Sequence, residues 1–223
     1  MNILRHALPA FLVLSAALLA GCAGTAPKAE WDGLVRQPGT RLNAVFVRPD
    51  TEGEIAAVRS VMLDPVSVSF ARDFDPNRGT RSLTRRVSPD DLIAIQESLA
   101  TLFREVFREE LAAGGYELVE TPGPDTLRVT AAIVDLFINA PDTATGMTRT
   151  YTASAGRMTL VMELRDSVSG ELLARAVDRR SSRDTDVWTI SNRMTNTAEA
   201  RRAFRTWAAA LRQGLDELAQ RTG

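Results

Sequence analysis

RMTLVMELRDSVSGELLARAVDRR, residues 157–180, is the stretch from which the fold can be read. Its two flanks, RMTLVMELR and ELLARAVDRR, read as strands, and DSVSG between them (166–170) is a short polar loop that ends in a glycine able to make a tight turn. Two strands joined this closely must be antiparallel, because a parallel connection needs a dozen or more residues. Upstream, DTLRVTAAIVDLFIN (125–139) changes from alternating to nearly continuous apolar residues between Leu127 and Ile138, as expected of a strand that reaches the buried centre of a sheet. YELVE (116–120) is a shorter strand before it, giving four strands in succession.

Helices flank this block. In SPDDLIAIQESLATLFREVFREELAAGG (88–115), Ser88 is placed to cap, Pro89 suits the first helical position, Asp91 stands three residues after the cap, and Gly114-Gly115 end the helix. Leu92, Ile95, Leu99, Leu102, Phe103 and Val106 make its apolar stripe. In NTAEARRAFRTWAAALRQGLDELAQ (196–220), Asn196 reads as the cap and Glu199 as the other half of a capping box, with a stripe of Phe204, Trp207, Ala208, Leu211, Leu215 and Leu218. Before the first helix, LNAVFVR (42–48) and VMLDPVSVSF (61–70) read as strands, and Pro65 argues for an edge or a bulge in the second. Two strands, a helix, four strands and a helix fit an α+β fold: a mainly antiparallel sheet with both long helices packed on one face.

The N-terminus speaks to location. Arg5 and His6 precede an apolar run from Ala7 to Ala20, too short to span a bilayer comfortably but the right length for a signal peptide. Leu19-Ala20-Gly21-Cys22 resembles the bacterial lipobox at every position. That resemblance implies a diacylglyceryl thioether on Cys22, cleavage after Gly21 and acylation of the new amino terminus. Several acyl chains make a durable anchor where one alone binds marginally. The position after the cysteine is Ala23 rather than the aspartate that, in the lipoprotein sorting rule, favours retention at the inner membrane, so the expected place is the outer membrane, with the domain facing the periplasm. The expected layout is a signal peptide at 1–21, lipidated Cys22 with a flexible tether at 22–40, and one α+β domain at 41–220. A tether of that length has a root-mean-square span of about 25 Å.

Composition excludes much chemistry. There are 27 Lys+Arg and 28 Asp+Glu. Without Arg5 the balance is 26 against 28, which supplies no basic field for nucleic acid. His6, the only histidine, lies in the signal, Cys22 is consumed by lipid, and Lys28, the only lysine, lies in the tether. A mature chain without imidazole, free thiol or core lysine has no Ser-His-Asp triad, thiolate nucleophile, Schiff-base lysine or histidine metal site. The expectation is a protein that is not an enzyme and carries no cofactor or metal.

WDGL (31–34), VMLDPVSVSF, LFREVFREEL, GYELVETPGPDTLRVTAAIVDLFINAP (115–141), RTYTASAGRMTLVMELRDSVSGELLARAVDRR (149–180) and TNTAEARRAFRTWAAALRQGLDEL (195–218) resemble the bacterial lipoprotein family known as domain of unknown function 3313, over nearly the whole mature chain. The resemblance implies no activity, since the family has none assigned. More loosely, a helix ending in GGYELVE and followed by PDTLRVTAAI is similar to envelope lipoprotein domains of the curli-secretion, penicillin-binding-protein-activator and Tol types, which implies a scaffold or regulator.

Three constellations bear on function. DFDPNRG (73–79) spaces Asp73, Asp75 and Asn77 as a calcium loop does, but Gly79 comes one position late and Thr84 stands where the bidentate acid belongs, so a solvated turn is the expectation. NAPDTATGMTRTYTASAG (139–156) is a hydroxyl-rich connector. Arg78, Arg81, Arg85 and Arg86, in the long connection before the first helix, are the candidate partner-contacting residues, since guanidinium groups grip carboxylates or phosphates bidentately. The partner expected is another envelope protein or a cell-wall component, bound by a scaffold or interaction module. Two alternatives stand beside it: a cell-wall glycan enzyme using Asp73 or Asp75 with Asp142, and a carrier of a lipid or other hydrophobic ligand.

Overall fold

A computed structural model of the chain describes residues 31–78, 86–138, 150–152, 156–181, 189–191 and 193–222. Elements are numbered in chain order. The hairpin of the opening stretch is β8 (Gly156–Asp166) and β9 (Leu172–Ser181). Its turn holds as the residue types suggest: the Asp166 carboxylate accepts from the N–H groups of Val168 (3.1 Å) and Ser169 (2.6 Å), and Gly170 takes φ +75°. β8 also pairs antiparallel with β6 (Thr126–Ile138), and β9 with β2 (Ala44–Val47), which pairs in turn with the edge strand β1 (Val35–Gln37).

The other flank of β6 is parallel. β3 (Ser60–Leu63) and β4 (Ser67–Phe70) both lie along it, end to end, and β5 (Glu117–Val119) pairs parallel with β3. Pro65 stands in the gap where the expected single strand is broken in two, since proline brings no N–H to the ladder. β6 carries its own irregularity: the register shifts between Val134 and Phe137, where Asp135 takes φ 52°, a left-handed conformation that aspartate tolerates better than most residues. β7 (Thr150–Thr152) and β10 (Thr189–Ser191) form a separate two-stranded ribbon.

Among the described residues, three helices accompany the sheet. The short α1 (Glu52–Ala56) buries Ile55 and Ala56. α2 (Pro89–Ala113) starts as expected, with a full capping box: Asp91 N–H donates to Ser88 Oγ (3.2 Å) and Ser88 N–H to Asp91 Oδ2 (2.8 Å). α3 (Arg193–Thr222) starts earlier than expected. Asn196 lies inside it rather than capping it, because no glycine or proline precedes it to stop the helix running back to Arg193.

Both long helices lie on one face of the sheet. Leu127, Val129, Ala131 and Ile133 of β6 and Leu160, Met162 and Leu164 of β8 are buried beneath them, while Arg128 and Thr130 between them face solvent. Phe103 stacks on Phe107 (centroids 4.0 Å apart) and meets Phe204 edge-on (5.4 Å), which lies against Trp207 (5.7 Å). Truncating any of these rings to alanine would cost about 3–5 kcal/mol. Glu105 pairs with Arg201, Glu110 with Arg212 and Tyr116 with Asp216, so α2 and the middle of α3 run side by side in the same direction. A carboxylate cross-ties the core to the sheet. Asp178 of β9 is only 1% exposed, and accepts from Trp207 Nε1–H (2.7 Å), Arg180 Nε–H (2.6 Å) and the Asn43 backbone N–H (2.9 Å).

Candidate functional site

The connection from β4 to α2 is closed at its neck. Asn77 Oδ1 accepts from the Val87 N–H (2.8 Å), and Asn77 Nδ2 donates to the Val87 carbonyl (3.0 Å), so the two ends of the connection are clasped together. The segment before the neck is packed rather than free. Phe74 stacks on Phe70 (4.7 Å) and meets Phe137 edge-on (5.4 Å), and the Arg157 guanidinium lies over Phe137 (4.4 Å) while pairing with Asp73 (3.2 Å). Asp75 accepts from the Asn77 N–H (2.9 Å). The three residues spaced like calcium ligands are thus each engaged by the protein itself, as a turn.

Arg78 and Arg86 stand on either side of this clasp. Both are exposed, and among the described residues neither has a carboxylate partner. Arg81, Arg85, Gly79, Thr84 and Asp142 lie outside the described residues, as do Cys22, the signal segment and most of the connector at 139–156.

A second cluster occupies the sheet face without helices. Register places Arg36, Phe46, Arg175, Glu163 and Thr130 in one row across five strands. Arg175 is buried. It donates to Glu163 Oε1 through Nε (3.0 Å) and one Nη (2.6 Å), to Asp32 through the other (2.9 Å), and its guanidinium sits 4.1 Å from the centre of the Trp31 ring. Burial alone would raise the Glu163 carboxyl, but the hydrogen bonds from Arg175 and Arg165 overcome it and hold Glu163 below the usual range. Asp64 is held down in the same manner: Arg128 and Thr130 donate to it and outweigh its partial burial.

Trp31 reaches this cluster through a turn that lies in the segment expected to be tether. Asp32 (φ 50°) and Gly33 (φ 79°) both take positive φ, and Leu34 N–H donates to the Trp31 carbonyl (2.8 Å): a two-residue hairpin turn followed directly by β1. Packed structure therefore begins by Trp31, ahead of the boundary expected at residue 41. The missed signal was the Asp-Gly pair between apolar neighbours, hidden by the polar composition around it.

The model of the family described as protein of unknown function, DUF3313, matches residues 27–211. The chain belongs to that family. Among solved structures, this DUF3313 chain is similar to the PelC dodecamer from Paraburkholderia phytofirmans, with 13% identity and a TM-score of 0.36 over 70% of this chain and 89% of that one. It is also similar to a candidate lipoprotein from Caulobacter crescentus CB15, with 14% identity and a TM-score of 0.31 over 76% and 93%. No curated protein matches it.

Proposed function

We propose that the protein is a lipid-anchored component of the cell envelope, attached through Cys22 to the outer membrane, whose periplasmic domain binds another envelope component rather than catalysing a reaction. The anchor rests on the Leu19–Cys22 lipobox behind a short apolar run. The binding role is carried by one observation: the connection from β4 to α2 is clasped by Asn77 and Val87, with Arg78 and Arg86 exposed there and no carboxylate of the described residues neutralising them. Asp75, the acid nearest Arg78 in sequence, accepts from the Asn77 N–H, and Asp73 is committed to Arg157. Arginines carried on backbone that is held at Asn77 and Val87 lose less freedom on meeting a carboxylate or phosphate than arginines on a slack chain would.

Two variants test the two halves. Cys22→Ala should move the protein from the membrane to the soluble fraction; retention in the membrane after a high-salt wash would show the anchor to be wrong. Arg78→Ala combined with Arg86→Ala should lower partner recovery after crosslinking in intact cells and leave the melting temperature within about 2 °C of wild type. Equal recovery from an equally folded double variant would remove this loop as the contact site.

A further inference from the structure

We infer that the sheet face without helices lies against an anionic membrane surface, so that the domain is docked on the leaflet that anchors it rather than suspended from it. The inference rests on the reading of Cys22 as lipidated and adds an orientation to it.

The first support is reach. Cys22 and Trp31 are nine residues apart, and nine residues of any conformation span at most about 30 Å. Trp31 is fixed to the sheet face through Arg175, Phe46 and the Asp32-Gly33 turn. A tether from Cys22 thus enters the domain on this face, and not on the opposite one covered by α2 and α3.

The second support is charge. Arg36, Arg128, Arg157, Arg165, Arg175 and Arg179 share the face by strand register. Four carboxylates answer them: Asp64 takes Arg128, Asp73 takes Arg157, and Glu163 and Asp32 take Arg165 and Arg175. Arg36 and Arg179 are exposed, and among the described residues neither has a carboxylate partner; Arg36 donates only to the Asn43 carbonyl (3.3 Å). By the same register the exposed Glu117 adds a fifth carboxylate at the far edge of the face, next to β3, so what the face offers an anion is the two guanidinium groups of Arg36 and Arg179 at its other end.

The third support is Trp31 itself, 42% exposed at the rim of the same face. An indole with one side packed and the other open suits the boundary between headgroups and acyl chains. Phosphate headgroups suit Arg36 and Arg179, whose guanidinium groups have no carboxylate partner among the described residues and present paired N–H donors to phosphate oxygens.

The test uses the lipidated full chain, purified in detergent and reconstituted into vesicles of phosphatidylcholine alone or mixed with phosphatidylglycerol. Flotation reports the anchor. Quenching of tryptophan fluorescence by brominated acyl chains reports docking, with Trp31→Phe subtracted to remove Trp188 and Trp207. The expected result is flotation with both vesicles and quenching of Trp31 only in the anionic ones, reversed by high salt. Arg36→Ala with Arg179→Ala should lower the ratio of docked to undocked protein by roughly 25-fold, about fivefold for each charge. A chain that fails to float overturns the lipid anchor and the docking with it. A chain that floats but shows no Trp31 quenching, or equal quenching in neutral vesicles, keeps the anchor and overturns the docking, leaving the face free for a protein partner.

Discussion

Replacing Asp178 by alanine is expected to destabilise the domain by about 2–4 kcal/mol, through the three donors that the carboxylate satisfies. The Trp207 indole N–H is fully buried in the core, so stranding it costs about 1–3 kcal/mol. The Asn43 backbone N–H is partly buried and adds about 1 kcal/mol. Arg180 adds little, because its side chain is 37% exposed and can turn to water. In a domain of this length such a loss lowers the melting temperature by roughly 5–15 °C. A double-mutant cycle with Trp207→Phe isolates the central bond: with the indole donor gone, Asp178→Ala should cost about 1–3 kcal/mol less than in the wild-type background. Additivity within about 0.5 kcal/mol in urea denaturation, or a single-variant melting shift below about 2 °C, would refute the assignment of Asp178 as the tie between helix and sheet.

Three further outcomes are expected. Glu163 is held below its ordinary value in the folded state, so its contribution is complete above that value and is lost as pH falls through the lowered one; Glu163→Gln should flatten the decline in melting temperature between about pH 5 and pH 2, and an unchanged slope would show that the arginine cluster does not govern acid sensitivity. An added Cβ at Gly156 would lie 2.5 Å from the Phe137 carbonyl oxygen, which is backbone, so Gly156→Ala should lower the urea midpoint by an amount worth about 1–3 kcal/mol. Ser88→Ala removes half of the capping box and should cost about 1 kcal/mol by the same measurement.

What could be read from the sequence was what local chemistry dictates. Ser88, Pro89 and Asp91 mark the start of α2, and Asp166 and Gly170 mark the β8–β9 turn, because caps and turns are made by residues close in sequence. The parallel pairing of β3 and β4 with β6 could not be read: Ser60 lies opposite Thr126, 66 residues away, and no local pattern records which distant strand a strand will choose. α1 is too short to show a helical period. Asn196 misled because capping preference is a local competition, which the helix won by extending back past it. The arginines of the β4–α2 connection were visible as a cluster, but the clasp of Asn77 on Val87 that gathers Arg78 and Arg86 depends on tertiary geometry. Arg175 escaped notice for the opposite reason: inside a strand it looks like one more polar residue, and only the Asp32-Gly33 turn brings Asp32 and Trp31 to it.

The position of Phe204 and Trp207 near the C-terminus also sets an order of events during synthesis. Every strand of the main sheet is complete by Ser181, yet the aromatic side chains that cover Leu127, Val129, Ile133, Leu160 and Met162 from α3 all lie beyond residue 200. A chain emerging from its N-terminus therefore has its whole sheet to assemble while half of the cover for that sheet is still unmade. Such an intermediate displays apolar strands to water and to its neighbours, the condition in which nascent chains aggregate or engage chaperones. Closing this core needs its final helix, and a chain cut short of Trp207 is expected to leave the sheet without half of its cover.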